Sequence, residues 1–359
     1  MIEKDYIIVG LGIAGITLCE QLQNNGKSFV VIDNGAKGST AKSGGVFNPT
    51  VLKRFTAAWN ASTFYPVAIN YYKTLSGKLG KDFFVETPIF RIFKSVEEQN
   101  NWSVASDKKE LRQFLSSEFL KNDNPAIEAP FGYGKILGTA QIQTDILLSE
   151  YRNLLLKANS LLAEVFQYND VFQKENGVVY KNISAKKIIF AEGAQAVENP
   201  FFPKHTLIGN KGEYLIIKAP ELKLKTLLKG PVYLIPLGND QYKVGATYSR
   251  DDYSLHTTNE AKEEILLKLK TVINCPFQLI GHTAGVRPTT KDHRPLLGSL
   301  KENPNFIFFN GLGSRGFLMA PLLSEILFNI WKIIYHFPKR LKLRECCESF
   351  KLGFGFAFI

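Results

Sequence analysis

Residues 6–15 read Tyr6-Ile7-Ile8-Val9-Gly10-Leu11-Gly12-Ile13-Ala14-Gly15, and Ile16, Leu18, Cys19 and Leu22 continue them as an apolar face at helical spacing. A short apolar run entering three glycines predicts a buried strand, a tight turn and a helix. Some residues on, Phe29-Val30-Val31-Ile32 reads as a second strand that ends on Asp33. Strand, glycine turn, helix, strand and acid in that order make up the pattern of a dinucleotide site. Gly10 lets the chain turn, Gly12 lets backbone approach a pyrophosphate, and Gly15 lets helix and strand pack closely. The amides at the helix start, those of Ile13 and Ala14 included, face phosphate, while Asp33, with Asn34 beside it, accepts from ribose hydroxyls. A purely structural turn is the alternative, and the register of strand, helix and acid weighs against it.

The pattern returns at the far end. Phe306-Ile307-Phe308-Phe309 reads as a strand, followed by Gly311-Leu312-Gly313-Ser314-Arg315-Gly316 and a long apolar helix from Phe317. Between the two ends, helices are expected at 59–80, 95–120, 144–159 and 258–271. Strands are expected at 83–94, 162–166, 170–174, 177–180, 187–191, 213–218 and 232–248, with a hairpin at Gly238-Asn239-Asp240. The strand at 187–191 runs into Glu192-Gly193-Ala194, where small residues let backbone approach a ligand.

The chain has 359 residues, 45% apolar and 21% charged, which suits an ordinary globular protein with a sizeable core. Cysteines at 19, 275, 346 and 347 show neither a Cys-x-x-Cys pair nor zinc-finger spacing, so no metal site and a reducing, cytoplasmic setting are expected. Glu3 and Asp5 precede the first apolar run and glycines break it, so a buried strand is expected there and not a signal peptide. Residues 317–335 are apolar, but Glu325, Asn329 and Lys332 recur every three to four residues, which predicts a buried helix and no transmembrane segment. The net charge is +11. Its positive residues are scattered without interleaved aromatics, and the basic run from His336 through Lys339, Arg340, Lys342 and Arg344 is by default a solvated face. Charge therefore leaves nucleic acid open as a partner without favouring it.

On Gly10–Gly15, Asp33, Ser43-Gly44-Gly45, Ala191-Glu192-Gly193-Ala194, Gly285–Gly298 and Gly311–Gly316, the chain resembles the D-amino-acid oxidase superfamily of FAD-dependent oxidoreductases. Within it, the sequence is similar to glycine-oxidase-like members. It also resembles the FAD-dependent C-terminal domain of the bifunctional enzyme that modifies the tRNA wobble uridine, at Asp292-His293 and at Gly311–Gly316. The resemblance implies an α/β fold in which a Rossmann-like FAD-binding domain of the glutathione-reductase type is interleaved with a β-rich α+β substrate domain. The expected boundaries are 1–82, 140–212 and 281–345 for the first domain and 83–139 and 213–280 for the second, with an atypical tail at 346–359.

The resemblance also implies which residues carry the site. Ser43, Gly44, Gly45 and Val46 run past the pyrophosphate and flavin, the backbone of Val171 meets adenine, and Glu192 and Gly193 lie beside the cofactor. Gly311, Gly313, Ser314, Gly316 and Phe317 lie along the flavin's pyrimidine edge, where amides and a helix N-terminus stabilise the negative charge of reduction. Arg287 anchors a substrate carboxylate through a guanidinium fork. Tyr233 and Tyr248 wall the pocket, and Arg315 meets either the carboxylate or the flavin. Read as residues alone, the Ser43 loop is an ordinary loop, Val171 a strand valine, Tyr233 and Tyr248 core candidates, and Arg287 a partner for Asp292. No cysteine falls in 285–298, so non-covalent FAD is expected, and no catalytic base is assigned.

Two functions follow from the resemblance. The first is oxidation of a C–N bond in an amino acid or secondary amine by hydride transfer to flavin, with oxygen or a quinone as final acceptor. The second is a tRNA-modifying oxidoreductase acting on carboxymethylaminomethyl-uridine. A non-catalytic flavoprotein is a third reading, which Arg287 and the two glycine turns argue against. The substrate, the oligomeric state and the role of the tail are not readable from the sequence.

Overall fold

The computed structural model describes residues 1–202, 204–299 and 303–336. Its contacts divide the chain into two compact units, one from residues 1–41, 147–209 and 287 onward, the other from 42–146 and 210–286. In the first, the elements run β1 (Ile2–Val9), α1 (Ile13–Asn24), β2 (Phe29–Ile32), α2 (Thr144–Lys157, most of it in this unit), β3 (Leu161–Leu162), β4 (Val171–Lys174), β5 (Gly177–Tyr180), β6 (Ile183–Phe190), β7 (Leu296–Ser299), β8 (Phe306–Asn310) and α3 (Gly316–His336).

Strands β3, β2, β1 and β6 lie side by side and parallel. The long β6 serves two neighbours: its first residues pair antiparallel with β5, and Ile188–Phe190 pair in parallel with β8. All four residues of β2 and all five of β8 are buried. Such uninterrupted apolar strands belong to parallel sheets covered on both faces. One face closes over Ile7, Val9, Val30, Ile32, Ile188 and Phe190. Helices α1 and α3 pack against each other.

The second unit is built on a nine-stranded sheet. Its order is Ser249–Arg250, Ile208–Lys218, Gln241–Gly245, Tyr233–Gly238, Leu227–Lys229, Ile89–Ile92, Tyr133–Ile136 and Leu115–Leu120, with Gln278–Thr289 also paired to Ile208–Lys218. The helix Asn259–Lys270, capped by Thr258 Oγ1 accepting from the Ala261 amide, lays Ile265 and Leu269 on Leu215, Ile217, Leu234 and Val244. The hairpin expected at Gly238-Asn239-Asp240 is present, with φ of 86°, 50° and 58°.

Three expectations are corrected. Residues 42–82 and 140–146 pack with the second unit and not the first, and the later boundaries fall at 210 and 287. An aromatic cluster is the cause: Phe47 meets Tyr72 and Phe84 edge-on, Tyr72 stacks on Phe84 at 5.3 Å, and Tyr65 meets Phe114 at 4.9 Å. Residues 95–120 are not one helical stretch. The helix stops at Ser106, before the polar run Asp107-Lys108-Lys109-Glu110, and Leu115–Leu120 form a strand to which Trp102 Nε1 donates at Ser116 O, 2.8 Å. The strand expected at 162–166 is reduced to Leu161–Leu162. No described helix is long and apolar enough to cross a membrane. The tail at 346–359 and the basic residues from Lys339 to Arg344 lie outside the described residues.

Packing of α1 on β1 allows a direct check. A Cβ on Gly15 would sit 2.1 Å from Gly10 O, whereas one on Gly77, in the helix Ala61–Leu79, would meet nothing within 4 Å. Gly15→Ala should lower unfolding stability in urea by about 1–3 kcal/mol through overpacking. Gly77→Ala should raise it by about 0.5–1 kcal/mol through helix propensity. Matching shifts from the two substitutions would show that the close approach at Gly15 has no energetic weight.

Candidate cofactor and substrate site

The parallel strands of the first unit end in line. Val9 lies opposite Ile32 and Phe190, and Phe190 lies opposite Phe308. Just beyond these ends come Gly10, Asp33, Gly193 and Gly311, at the carboxyl edge where open α/β sheets bind ligands. The Gly10 amide donates to Ile32 O at 3.0 Å and the Ala191 amide to Val9 O at 2.8 Å. With φ at +96°, Gly10 lies so close to the neighbouring turn that a Cβ would be 2.7 Å from Ala191 O. Asn310 joins two more turns, its Nδ2 donating to Gly193 O at 2.9 Å while its Oδ1 accepts from the Gly311 amide at 2.8 Å. A Cβ on Gly316 would lie 3.2 Å from Ile13 Cγ2. The two glycine turns, some 300 residues apart in sequence, are thus brought together.

The start of α1 suits a pyrophosphate. Its N-cap is Gly12, which supplies no side-chain cap, and the first turn carries no acid. The Ile13 amide, expected to face phosphate, donates instead to Thr40 Oγ1 at 3.1 Å, and a Cβ on Gly12 would lie 3.3 Å from that hydroxyl and meet no other atom within 4 Å. The helix dipole favours an anion there. At Asp33, Oδ2 accepts from the Leu11 amide at 2.9 Å, and Oδ1 accepts from the Gly35 amide at 2.8 Å and from Arg152 Nη1 at 2.7 Å. A carboxylate has about four acceptor positions, so one on Oδ2 is left for a ribose hydroxyl. Asn34 Oδ1 caps the Ala36 amide at 2.9 Å, which commits it to the turn. Helix end, glycines and Asp33 together fit the adenosine diphosphate half of FAD.

Other expected residues are placed differently. Glu192 accepts from Tyr168 Oη at 2.5 Å and Asn199 Nδ2 at 2.7 Å, so its side chain holds an internal network. Burial pushes its carboxyl up to about 7 against those two hydrogen bonds, with Glu198 adding to the rise. Burial, and then Glu192, raise the Tyr168 hydroxyl well above its ordinary value. Val171 opens β4, and its pairing through Tyr180 to Ile183 sets it against the first residues of β6, away from the Phe190 end. The structure does not gather it with the glycine turns. Within Gly313–Arg315, a single 3-10 turn, Ser314 is exposed, and Arg315 and Phe317 are half-buried.

In the second unit, the loop Ser43–Val46 is tightly held. A Cβ on Gly44 would lie 2.4 Å from Ile235 Cδ1, and one on Gly45, at φ +65°, would lie 2.0 Å from Ile142 O. Lys243 donates to Lys42 O at 3.0 Å and Ser43 O at 2.6 Å, with its ammonium 5.0 Å from the Tyr214 ring centroid. Burial pushes the Lys243 amine down to about 8. Tyr233 lies on the strand Tyr233–Gly238 under Lys229, whose ammonium is 4.7 Å from the ring centroid. Tyr248, expected on a strand, precedes Ser249–Arg250 and is 63% exposed. Arg287, on Gln278–Thr289 where the chain re-enters the first unit, is half-buried and makes no ion pair or hydrogen bond with a described residue. The alternative pair with Asp292 is not formed, because Asp292 Oδ1 accepts from Thr290 Oγ1 and the Arg294 amide.

Sequence reading missed Thr40, Arg152, Asn310, Lys243, Tyr168 and Asn199. Only Asn310, directly before Gly311, carried a signal, as a side chain able to cap the turn beside it. Asn199 bonds Glu192 from seven residues away, and the others act across 24 to 201 residues, separations that no spacing rule covers.

Glu192 yields a pH test. Its folded value, about 7, lies above the ordinary 4.5, so the stability it contributes is complete below about 4.5 and is lost as pH rises through about 7. In melting experiments from pH 5 to 8, Glu192→Gln should flatten part of the wild-type decline, since a neutral amide carries no charge to bury. Parallel curves for the two proteins would rule out this contribution.

A family model described as FAD dependent oxidoreductase (DAO) matches residues 5–330. Glycine oxidase of Bacillus subtilis (strain 168) is 23% identical over 359 residues, covering 90% of this chain and 93% of that protein. The tRNA 5-methylaminomethyl-2-thiouridine biosynthesis bifunctional protein MnmC of Idiomarina loihiensis is 36% identical over 123 residues, 33% of this chain and 20% of that protein. Glycine oxidase from Bacillus cereus ATCC 14579 shares the fold, with a TM-score of 0.75 at 18% identity over 90% of this chain and 96% of that one. Glycine turns that meet at the carboxyl ends of parallel strands agree with that match, and the chain belongs to the DAO family of FAD-dependent oxidoreductases.

Proposed function

We propose that this enzyme oxidises the C–N bond of an amino acid or secondary amine, with FAD held non-covalently. The observation that carries the reading is the meeting of the turns after β1 and β8, with Gly316 against Ile13 and Asn310 bonded to Gly193. A dinucleotide that needed only its phosphates gripped would leave the second turn without a role. The amides of α1 receive the pyrophosphate and Asp33 a ribose hydroxyl. The turn Gly311–Gly316 and the start of α3 present amides and a positive helix end to the flavin's pyrimidine edge. When bound, FAD supplies the two-electron acceptor for the hydride that leaves the carbon beside nitrogen. The resulting imine hydrolyses in water.

Substrate recognition rests on Arg287. Its guanidinium is half-buried and unpaired among the described residues, so it can offer two parallel donors to a carboxylate. Glycine oxidase, a relative that spans 90% of the chain, names an amino acid as substrate. Ser43–Val46, Tyr233, Tyr248 and Arg315 take their proposed roles from the family resemblance. A second reading, an amine-bearing uridine in tRNA, is supported by the 36% identity to MnmC and the net charge of +11. Both readings share one chemistry, an amine giving up a hydride from the carbon beside nitrogen.

Reconstituted protein should be yellow, and glycine, sarcosine or a D-amino acid should bleach it in the absence of oxygen. Bleaching by modified tRNA alone, weakened by salt, would select the second reading. Arg287→Ala should raise KM for a carboxylated substrate about 10- to 100-fold, the loss of a charge-assisted hydrogen-bond pair, and leave FAD affinity alone. An unchanged KM would remove Arg287 from carboxylate binding.

A further inference from the structure

We propose that Arg152, on α2, is a positioning residue for the adenosine end of the cofactor, holding the Asp33 carboxylate in the pose that leaves one acceptor for the ribose. This rests on the reading that FAD binds with its adenosine half at Asp33. Asp33 follows β2 directly, at the sheet edge where a short side chain is free to turn unless it is held. Arg152 holds it from two sides: Nη1 donates to Oδ1 at 2.7 Å, and Nη2 donates to the Asp33 carbonyl at 3.2 Å. One guanidinium thereby holds side chain and main chain of the same residue, with both donors set in direction by one planar group. The side chains are 25% and 17% exposed, so the pair is partly shielded from water.

The guanidinium is itself placed by its surroundings. Next to it in sequence, Tyr151 is fully buried and its hydroxyl donates to Glu20 Oε1 at 2.7 Å, pinning α2 to α1. Beneath it lies the backbone of Gly35, at φ +78°, where a Cβ would come within 3.6 Å of the Arg152 Cζ. With Oδ1 filled by Arg152 and the Gly35 amide, and one side of Oδ2 filled by the Leu11 amide, the carboxylate has one orientation and one unfilled acceptor.

Apoprotein titrated with FAD and separately with ADP-ribose, which shares only the adenosine half, tests this. Arg152→Met should weaken both ligands by the same factor, about tenfold, as expected for a partly shielded charged hydrogen bond. Arg152→Lys should recover part of the loss. Because Arg152 acts through Asp33, the double variant Arg152→Met with Asp33→Asn should bind no more weakly than Asp33→Asn alone. Unchanged affinities in Arg152→Met, loss of FAD without loss of ADP-ribose, or fully additive losses in the double variant would each overturn the proposal. Should Arg152→Met fail to fold, the Arg152→Lys series against Asp33→Asn decides by the same criterion. Wild-type protein that took up no FAD would overturn the cofactor reading itself, an outcome separate from wild type and variant binding alike.

Discussion

The approach of α1 to β1 at Gly10 and Gly15 is the constraint from which the rest of the first unit follows. With Gly10 O lying 2.1 Å from where a Cβ of residue 15 would be, the helix can sit directly over the strand end only if residue 15 lacks a side chain, while a Cβ on Gly10 would press on Ala191 O at 2.7 Å. That seating fixes where the helix N-terminus points and how far its amides stand from the sheet edge. It also sets the surface against which α3 packs, because Ile13, in the first turn of α1, is what Gly316 approaches. A helix shifted outward by even one methyl group would move the dipole end and the second glycine turn together. Interiors this closely packed transmit such shifts, since they hold no slack to absorb them.

Parallel strands ending in register do the second part of the work. Because Val9, Ile32, Phe190 and Phe308 align across β1, β2, β6 and β8, the chain leaves the sheet four times along one edge, each time with a glycine or a short polar residue within three positions. Buried backbone groups at such exits need partners. Here neighbouring turns supply them, as in Ala191 to Val9 and Gly10 to Ile32, or one side chain does, as in Asn310. The turns along this edge are therefore tied to one another by hydrogen bonds within the protein.

How much of this could be read in the sequence depended on the range of the interaction. Gly10, Gly12, Gly15 and Asp33 were legible because strand, turn, helix and acid follow one another within one supersecondary unit whose geometry fixes their spacing. Gly311–Gly316 was legible for the same local reason, and the hairpin at Gly238-Asn239-Asp240 needed only the residues in its turn. Arg152 lies 119 residues from Asp33 and Lys243 lies 200 from Ser43, and no local pattern marks either as a partner. The boundary at residue 42 was misread because the aromatic cluster of Phe47, Tyr72 and Phe84 closes through tertiary packing, while its residues look locally like an extension of the opening domain. Val171 was assigned from resemblance, and the strand register sets it elsewhere.

Two carboxylates at this edge show why proximity alone does not make a ligand. Asp33 follows β2 and Glu192 follows β6, each within a few residues of a glycine turn. Glu192 has an oxygen on Tyr168 and an oxygen on Asn199, lies in surroundings that push it up to about 7, and so serves the packing beneath the turn. Asp33 receives three donors, but a cationic side chain and two backbone amides provide them. They neutralise and orient the group without enclosing it, and its side chain stays 17% exposed. A buried carboxylate satisfied by neutral side chains becomes structural. One held by a guanidinium and amides at a sheet edge stays oriented and able to take one more donor, which is what a ribose hydroxyl requires.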